Sequence, residues 1–194
     1  MYPEVMAIAG PNGSGKTTVT ELTQLRGRYI NADDIKRATH CTDLEAAVRA
    51  EELREECLRN REDFTFETVL STPRNLNLLR RAKDEGYFVR CIYVLTADEN
   101  INVARVMARV MSGGHGVPDD KICSRYRKAL ALVPQLVEVC DIMHIYDNSG
   151  EWPFRIFKKR KGDFYAAESE FWTLDRIAHL TNICDLAPFP SRDA

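Results

Sequence analysis

Short apolar segments alternate along the chain with longer amphipathic ones. The apolar segments are rich in β-branched and aromatic residues and end in glycine or polar residues, which is typical of buried parallel strands. They predict five strands, at residues 5–9, 28–31, 63–68, 87–95 and 141–146. The amphipathic segments repeat their apolar residues at helical spacing. They predict helices at residues 18–25, 42–60, 76–85, 100–111 and 118–137, the last one kinked or restarted at Pro134.

This alternation predicts an α/β fold, a three-layer sandwich in which a mostly parallel five-stranded sheet lies between helices. Beyond the fifth strand, two short apolar segments around a turn at 160–163 predict a hairpin, and a helix is predicted within 168–181. A frayed tail is expected over 188–194. No repeat or linker divides the chain, so we expect one domain over residues 1–194, with the C-terminal hairpin and helix at about 153–184.

Composition excludes several classes of function. The 27 basic and 29 acidic residues nearly cancel, so nucleic acid is not an expected partner. The six cysteines form no C-x-x-C pair and several lie in apolar segments, which argues against zinc and against a disulfide framework. No signal peptide and no apolar run of membrane-spanning length is predicted. We therefore expect a soluble, cytoplasmic protein with no membrane partner.

The first predicted strand runs into the segment Gly10–Thr17, reading Gly-Pro-Asn-Gly-Ser-Gly-Lys-Thr, which we call the phosphate loop. In such a loop, backbone N–H groups and a helix N-terminus surround an anion. Lys16 is expected to bridge the β- and γ-phosphates, and the Thr17 hydroxyl to hold Mg²⁺. The alternative, a glycine-rich turn without a ligand, costs backbone entropy for no gain. The predicted nucleotide-binding residues are Gly10, Pro11, Asn12, Gly13, Ser14, Gly15, Lys16, Thr17 and Thr18.

Acidic residues follow two of the other predicted strands. Asp33 and Asp34 come directly after the second strand, and Glu67 closes the third, followed by Thr68. Ligands of open α/β sheets bind at the carboxyl ends of the strands, so these side chains are expected beside the phosphate loop. A carboxylate there can accept a proton from an attacking hydroxyl or hold Mg²⁺ through water. Asp34 can equally serve as the N-cap of the next helix.

Arginines in two consecutive predicted helices form a candidate lid at about 100–128. Arg105 and Arg109 lie one helical turn apart, and Arg125 belongs to the following helix. The connection at 112–118 is rich in glycine and is expected to act as a hinge, with His115 as an ordinary loop residue. The first helix alone is equally compatible with arginines that complement its dipole or face solvent. Together, the two helices predict a lid over a transferring phosphate.

Asn148 follows the fifth predicted strand, within Asp147-Asn148-Ser149-Gly150. Loops after the last parallel strand often contact the base of a nucleotide, so Asn148 is a candidate nucleotide-binding residue. Taken alone, an asparagine at this place is better explained as a turn residue.

Besides the phosphate loop, three segments resemble those of the zeta-toxin-like P-loop kinases. The resemblance extends from the first strand to residues 147–149 and is greater to the predicted ATPase branch of that family than to its toxins. It implies a P-loop kinase fold, with ATP or GTP and Mg²⁺ as ligands. The three segments are Ile30-Asn31-Ala32-Asp33-Asp34-Ile35, Phe66-Glu67-Thr68-Val69-Leu70-Ser71 and Gly113-Gly114-His115-Gly116-Val117-Pro118.

The resemblance also implies roles for particular residues. In the family, an aspartate after the second strand deprotonates a sugar hydroxyl that attacks the γ-phosphate, and Asp33 occupies the matching position. The acidic residue that ends the third strand contacts the sugar nucleotide, which here is Glu67. Lid arginines neutralise the phosphates, a role that falls to Arg105 or Arg109, and to Arg125. The full set of predicted acceptor-binding residues is Asp33, Asp34, Glu67, Thr68 and Ser71.

The family's known acceptor is UDP-N-acetylglucosamine, and an antitoxin protein is a partner implied by the resemblance alone. The toxins carry an arginine shortly after the third-strand glutamate, whereas this chain has Ser71 there. The chain also has little sequence beyond the fifth strand to enclose a sugar nucleotide. We expect a small-molecule kinase, a phosphotransferase with an alcohol group as acceptor. The alternatives are a nucleotide-dependent switch or scaffold, and an ATPase in which water replaces the acceptor.

Overall fold

The computed structural model of this protein describes residues 2–114 and 116–190. His115 and residues 191–194, for which a loop and a frayed tail were expected, lie outside the described residues. The helices are α1 Lys16–Glu21, α2 Ala32–Thr39, α3 Asp43–Asn60, α4 Pro73–Asp84, α5 Glu99–Met111, α6 Asp119–Ala131, α7 Val133–Val139 and α8 Leu174–Thr181. The strands are β1 Glu4–Ala9, β2 Arg28–Ile30, β3 Phe64–Thr68, β4 Phe88–Leu95, β5 Ile142–Asp147, β6 Phe154–Arg160, β7 Asp163–Ala166 and β8 Ala187–Pro188.

All described strands belong to one sheet, in the order β2-β3-β1-β4-β5-β6-β7-β8. The five strands predicted from the sequence are its parallel part, so the predicted α/β class is confirmed. The predicted number of strands in the sheet was too low, because eight of the described strands belong to it. The predicted hairpin does form, but β6 pairs along the whole of β5 and continues the sheet. Buried Ile156 and Phe157 anchor β6 to the core.

Helices cover both faces of the sheet. On one face, side chains of β1 and β3, such as Ala7 and Phe66, pack in a large cluster with residues of α3, α4 and α7. On the other face, Val19 of α1 packs with residues of β1 and β4, such as Met6 and Val94. Consecutive residues of β1 therefore face opposite layers, which explains why this strand is apolar at nearly every position.

Several boundaries differ from their predictions. α1 starts at Lys16 and ends at Glu21, so it lies earlier and is shorter than the predicted helix. Asn31, rather than Asp34, is the N-cap of α2, and its Oδ1 accepts a hydrogen bond of 2.9 Å from the Asp33 backbone N–H. α8 starts only at Leu174, and Pro188 of the expected tail lies in β8. The restart near Pro134 is confirmed, because α7 begins at Val133.

The strand order determines where the site lies. β2, β3, β1 and β4 are neighbours, so the segments that follow β1, β2 and β3 emerge side by side at one edge of the sheet. All six cysteines are free thiols. Among the residues that the structure describes, no helix has the length and apolar character needed to cross a bilayer.

Candidate active site

The phosphate loop connects β1 to α1 and has a backbone that only glycine adopts easily. Gly13 and Gly15 have φ values of 77° and 87°, in the left-handed region. A Cβ on Gly13 would lie 2.5 Å from the backbone oxygen of Asn102, and one on Gly15 would lie 2.1 Å from Nδ2 of Asn148. Both distances are shorter than the contacts that real Cβ atoms make, so a side chain at either position would clash. Neighbouring elements therefore press directly against the loop backbone.

Three side chains from other elements hold the loop in this shape. Asn102 of α5 is buried and donates a hydrogen bond of 2.6 Å from Nδ2 to the backbone oxygen of Asn12. Asn148 is buried as well and donates one of 2.8 Å to the backbone oxygen of Ser14. Arg125 of α6 donates one of 3.3 Å to Oδ1 of Asn12. Two predicted site residues, Asn148 and Arg125, therefore contact the loop itself.

Lys16 extends back across the phosphate loop. Its Nζ donates hydrogen bonds to the backbone oxygens of Gly10, at 2.8 Å, and Pro11, at 3.1 Å. Burial lowers the pKa of the Lys16 ammonium, and the nearby carboxylates of Glu67 and Asp33 partly offset that effect. A lysine ammonium group beside a glycine-rich loop backbone is an arrangement suited to binding a phosphate. The buried Ser14 Oγ, which has no hydrogen-bond partner, adds an unsatisfied polar atom to the same loop.

A pocket of about 400 Å³ opens beside the loop. It brings together ten of the residues predicted from the sequence, and four that were not predicted. The predicted ones are Asn12, Gly13, Gly15, Lys16, Thr17, Asp33, Glu67, Thr68, Arg105 and Arg109. The others are Asn31, Ala32, Val69 and Val106.

The remaining predicted residues lie around the pocket rather than on its lining. Thr18 is exposed on α1, and Asp34 is exposed on α2, where it forms an ion pair of 3.2 Å with Arg37. Ser71 is half-buried in the loop after β3. Arg125 and Asn148 contact the loop as described above, and Gly10, Pro11 and Ser14 form its inner part.

Asp33 is positioned by the residue that caps its helix. Oδ1 of Asn31 accepts the hydrogen bond from the Asp33 backbone, while Nδ2 of Asn31 donates one of 3.1 Å to the Tyr29 hydroxyl. Asp33 therefore lies in the first turn of α2 with its carboxylate exposed toward the pocket. Neither Asn31 nor Tyr29 was predicted from the sequence as a site residue. The available signal was Asn31 itself, a strong N-cap residue at the end of a strand.

Glu67 is the second carboxylate of the pocket. It accepts a hydrogen bond of 2.9 Å from the hydroxyl of Thr20, which lies one turn beyond Lys16 on α1. Tyr29 is close enough to interact with Glu67. Burial raises the pKa of Tyr29 to about 12, the hydrogen bond from Asn31 lowers it, and Glu67 raises it. Tyr29 is thus a neutral hydroxyl at ordinary pH, placed between the segments that carry Asp33 and Glu67.

Arg105 and Arg109 reach the pocket from α5. Arg105 Nη1 would lie 4.0 Å from a Cβ on Gly15, which places its guanidinium beside the phosphate loop. Arg109 is near enough to Lys16 to lower the pKa of the ammonium. α5 ends in a turn in which the backbone N–H of Gly114 donates a hydrogen bond of 2.9 Å to the Arg109 carbonyl. α6 packs against α5, so the two predicted lid helices form one packed pair.

The residues present fit a magnesium-bound nucleotide. Within residues 2–114 and 116–190, no group of three or more His, Cys, Asp or Glu side chains is placed to form a metal cage. Mg²⁺ in phosphoryl-transfer sites is held mainly by phosphates, water and one or two protein oxygens. The Thr17 hydroxyl lines the pocket and can supply one of these. When bound, the ion neutralises phosphate charge.

Comparison with known proteins places the chain in a family. A model of the Zeta toxin family matches residues 1–159. The chain belongs to the Zeta toxin family. An uncharacterized protein of Haemophilus influenzae is 30% identical over 132 residues, which are 65% of this chain and 94% of that protein. The resemblance inferred from the sequence is therefore confirmed.

Solved structures with low sequence identity share the fold. One comes from the PezAT chromosomal toxin-antitoxin system of Streptococcus pneumoniae, with a TM-score of 0.57, 16% identity and coverage of 75% of this chain and 68% of that one. Another is the AvrRxo1-ORF1:-ORF2 complex with ATP, with a TM-score of 0.68, 14% identity and coverage of 92% of this chain. This chain spans 63% of the length of the AvrRxo1 chain that it matches.

Membership in the family supports a P-loop, kinase-like function and nucleotide binding for this chain. Membership rests on the sequence match, and the solved structures agree with the observed layers of helices around a parallel sheet.

Proposed function

We propose that the protein is a kinase that transfers the γ-phosphate of ATP, or of GTP, to a hydroxyl group of a small molecule. The observation that carries the proposal is a single pocket lined by both cations and carboxylates. Lys16, Arg105 and Arg109 supply positive charge at this pocket, and the carboxylates of Asp33 and Glu67 line the same pocket. Phosphoryl transfer needs both, because positioning and neutralisation of phosphate charge account for most of its catalysis.

On the phosphate side, the loop backbone and Lys16 hold the β- and γ-phosphates, and Thr17 holds Mg²⁺. Arg105 and Arg109 stabilise the charge on the transferring group. Arg125 supports the phosphate loop through its hydrogen bond to Asn12. The other loop residues, Thr18 and Asn148 complete the nucleotide site. Charge-assisted hydrogen bonds of this kind are about twice as strong as neutral ones.

On the acceptor side, Asp33 accepts the proton of the attacking hydroxyl. As the bond from the hydroxyl oxygen to the γ-phosphorus forms, the bond from that phosphorus to the β-phosphate oxygen breaks and the nucleoside diphosphate leaves. Glu67 and Thr68 hold the acceptor, and Asp34 and Ser71 lie at the outer margin of its site. A sugar nucleotide, with UDP-N-acetylglucosamine as the first candidate, is the acceptor that the family suggests.

The region from about 100 to 128 is proposed to act as a lid of one domain that spans residues 1–194. α5 and α6 pack as a pair and carry Arg105, Arg109 and Arg125, so a movement of the pair carries all three guanidinium groups. Closure excludes water, which suppresses hydrolysis while the arginines reach the γ-phosphate.

An antitoxin is a further proposed partner. One solved structure with the same fold comes from a toxin-antitoxin system, which supports looking for a protein that binds this chain and covers the pocket. Co-purification from the source organism, followed by nucleotide-binding measurements with and without the partner, tests this part of the proposal.

The test of the kinase proposal is ATP turnover with and without sugar nucleotides, nucleosides and antibiotics, with products identified by mass spectrometry. Asp33→Asn should keep ATP affinity but lose about 10²–10⁴-fold in transfer rate, the usual contribution of a positioned base. Lys16→Ala should weaken nucleotide binding itself. Asp84→Asn, which changes an exposed carboxylate at the end of α4, is the matched control. Hydrolysis that no acceptor stimulates would favour an ATPase, and binding without turnover would favour a switch.

A further inference from the structure

We infer that Ser169 is a positioning residue of the nucleotide site, and that it acts on the phosphate loop through Asp147 and Asn148. Ser169 belongs to residues 168–181, which we call the C-terminal segment and which lie beyond residue 159, where the family match ends. The inference rests on the nucleotide binding of the proposed function but not on phosphate transfer. It therefore applies whether the nucleotide is a phosphate donor, is hydrolysed or is only held.

The C-terminal segment is packed into the core of the protein. Trp172 is buried and belongs to the same cluster as Ile177 of α8 and Phe157 of β6. The Ser169 Oγ accepts hydrogen bonds from the backbone N–H groups of Phe171, at 3.3 Å, and Trp172, at 3.2 Å. The Ser169 backbone N–H donates one of 3.0 Å to the Trp172 carbonyl. These contacts fix the position of the Ser169 hydroxyl.

The Ser169 hydroxyl contacts a buried carboxylate at the end of β5. Asp147 is 3% exposed, and its Oδ2 accepts a hydrogen bond of 3.1 Å from the Ser169 Oγ. Its Oδ1 accepts hydrogen bonds from the backbone N–H of Ser149, at 3.0 Å, and from the Ser149 hydroxyl. A buried carboxylate is costly unless hydrogen bonds satisfy its oxygens. Asp147 is therefore held between the C-terminal segment and the connection that follows β5.

Asn148 lies between these two bonded residues and contacts the phosphate loop. Its backbone N–H donates a hydrogen bond of 2.8 Å to the Leu95 carbonyl, and its Nδ2 donates one of 2.8 Å to the Ser14 carbonyl. Nδ2 also lies where a Cβ on Gly15 would approach it to 2.1 Å. Because the amide is in direct contact with the loop backbone, a shift of Asp147 moves the loop as well.

The C-terminal segment also contacts the connection between β4 and α5. Arg176 of α8 donates a hydrogen bond of 3.3 Å from Nη2 to the Ala97 carbonyl, and the Ala97 backbone N–H donates one of 2.7 Å to the Ser149 Oγ. α5, which follows Ala97, carries the Asn102 side chain that bonds to Asn12. The C-terminal segment thus contacts both of the connections from which asparagines support the phosphate loop.

The first experiment separates positioning from stability. ATP affinity with Mg²⁺ is measured by calorimetry, and urea unfolding confirms that each variant folds. Ser169→Ala should weaken ATP binding by about three- to tenfold, the size of one net hydrogen bond. The control is Thr181→Ala, which alters a buried residue of α8 whose hydroxyl bonds to the Ile177 carbonyl. It should lower stability and leave ATP affinity unchanged.

The outcomes distinguish this inference from the proposed function. Unchanged ATP affinity in Ser169→Ala, or an equal loss in Thr181→Ala, would overturn the inference alone. Failure of the wild-type protein to bind ATP would overturn the nucleotide site itself, and the inference with it.

The second experiment tests the route through Asp147 and Asn148. In an Asn148→Ala background, Ser169→Ala should lower ATP affinity by less than about twofold, because residues that act through one network are not additive. Asp147→Asn keeps the size of the side chain but replaces an accepting oxygen with a donor. It should weaken ATP binding at least as much as Ser169→Ala does. Fully additive losses, or normal affinity in Asp147→Asn, would overturn the inference.

Discussion

The side-chain amide of Asn148 donates a hydrogen bond of 2.8 Å to the backbone oxygen of Ser14, across a separation of 134 residues in sequence. The same amide lies against Gly15, where a Cβ would approach it to 2.1 Å. Asn148 thus supports the phosphate loop from the end of β5. A residue in this position affects phosphate binding through the shape of the loop, whatever base the nucleotide carries.

Asn148→Ala should weaken the binding of ATP, GTP and inorganic triphosphate by similar factors, about tenfold each. The change leaves the buried Ser14 carbonyl without its partner, which costs about 1–3 kcal/mol. Affinities measured by calorimetry for the three ligands check this. A loss confined to one of the two nucleotides would instead show that Asn148 reads the base.

Asn31→Ala should lower both stability and transfer rate. Loss of an N-cap costs about 1 kcal/mol of unfolding free energy, and here it also releases the Asp33 backbone. The matched control is Thr42→Ala, which removes the capping box of α3 outside the pocket lining. Denaturant unfolding should show similar losses for the two variants, while transfer assays should show a loss for Asn31→Ala alone. Equal activity in both variants would mean that capping does not position Asp33.

Stability should fall as pH rises from about 10 to 12. Burial raises the pKa of Tyr87 to about 12 from an ordinary value of 10.0, so the folded protein holds this proton more tightly than the unfolded chain. The stabilisation is complete below pH 10 and is lost as pH rises through the folded-state pKa. Burial also raises the pKa values of Tyr29 and Tyr126 to about 12, so they act in the same direction.

Tyr87→Phe tests this assignment. The Tyr87 hydroxyl donates a hydrogen bond of 2.9 Å to the Cys57 carbonyl, so the variant should be less stable at neutral pH. It should also lose less stability between pH 10 and 12, because one titrating group is gone. Urea unfolding at a series of pH values measures both effects. An unchanged alkaline slope would show that Tyr87 does not contribute to it.

Arg109→Ala should lower phosphate transfer more than it lowers ATP affinity, because the charge that it stabilises develops mainly during transfer. Arg127→Ala is the control, since Arg127 is exposed on α6 and paired with Glu99 outside the pocket lining. Hydrogen exchange over residues 107–122, with and without a non-hydrolysable ATP analogue and an acceptor, follows closure of the proposed lid. Equal exchange in both states would contradict the lid.

The sequence by itself was enough to predict the parallel strands of the sheet and the main segments that line the pocket. The phosphate loop is a contiguous pattern whose glycines and lysine are readable without any distant contact. Asp33 and Glu67 were predicted because residues at the ends of neighbouring parallel strands share one edge of the sheet. The first inference depends on a local sequence pattern, and the second on the topology of parallel sheets. Both apply to any sequence that folds in this class.

Only the tertiary structure decided which side chains support the loop and the carboxylates. The bond from Asn102 to Asn12 joins residues 90 positions apart, and the bond from Thr20 to Glu67 joins residues 47 apart. The pairing of β6 with β5 likewise depended on how the hairpin packs. Such contacts form because the folded chain must satisfy buried polar groups with whatever lies nearby. Which groups lie near a buried polar atom depends on how all the helices and strands pack, so no local sequence pattern predicts it.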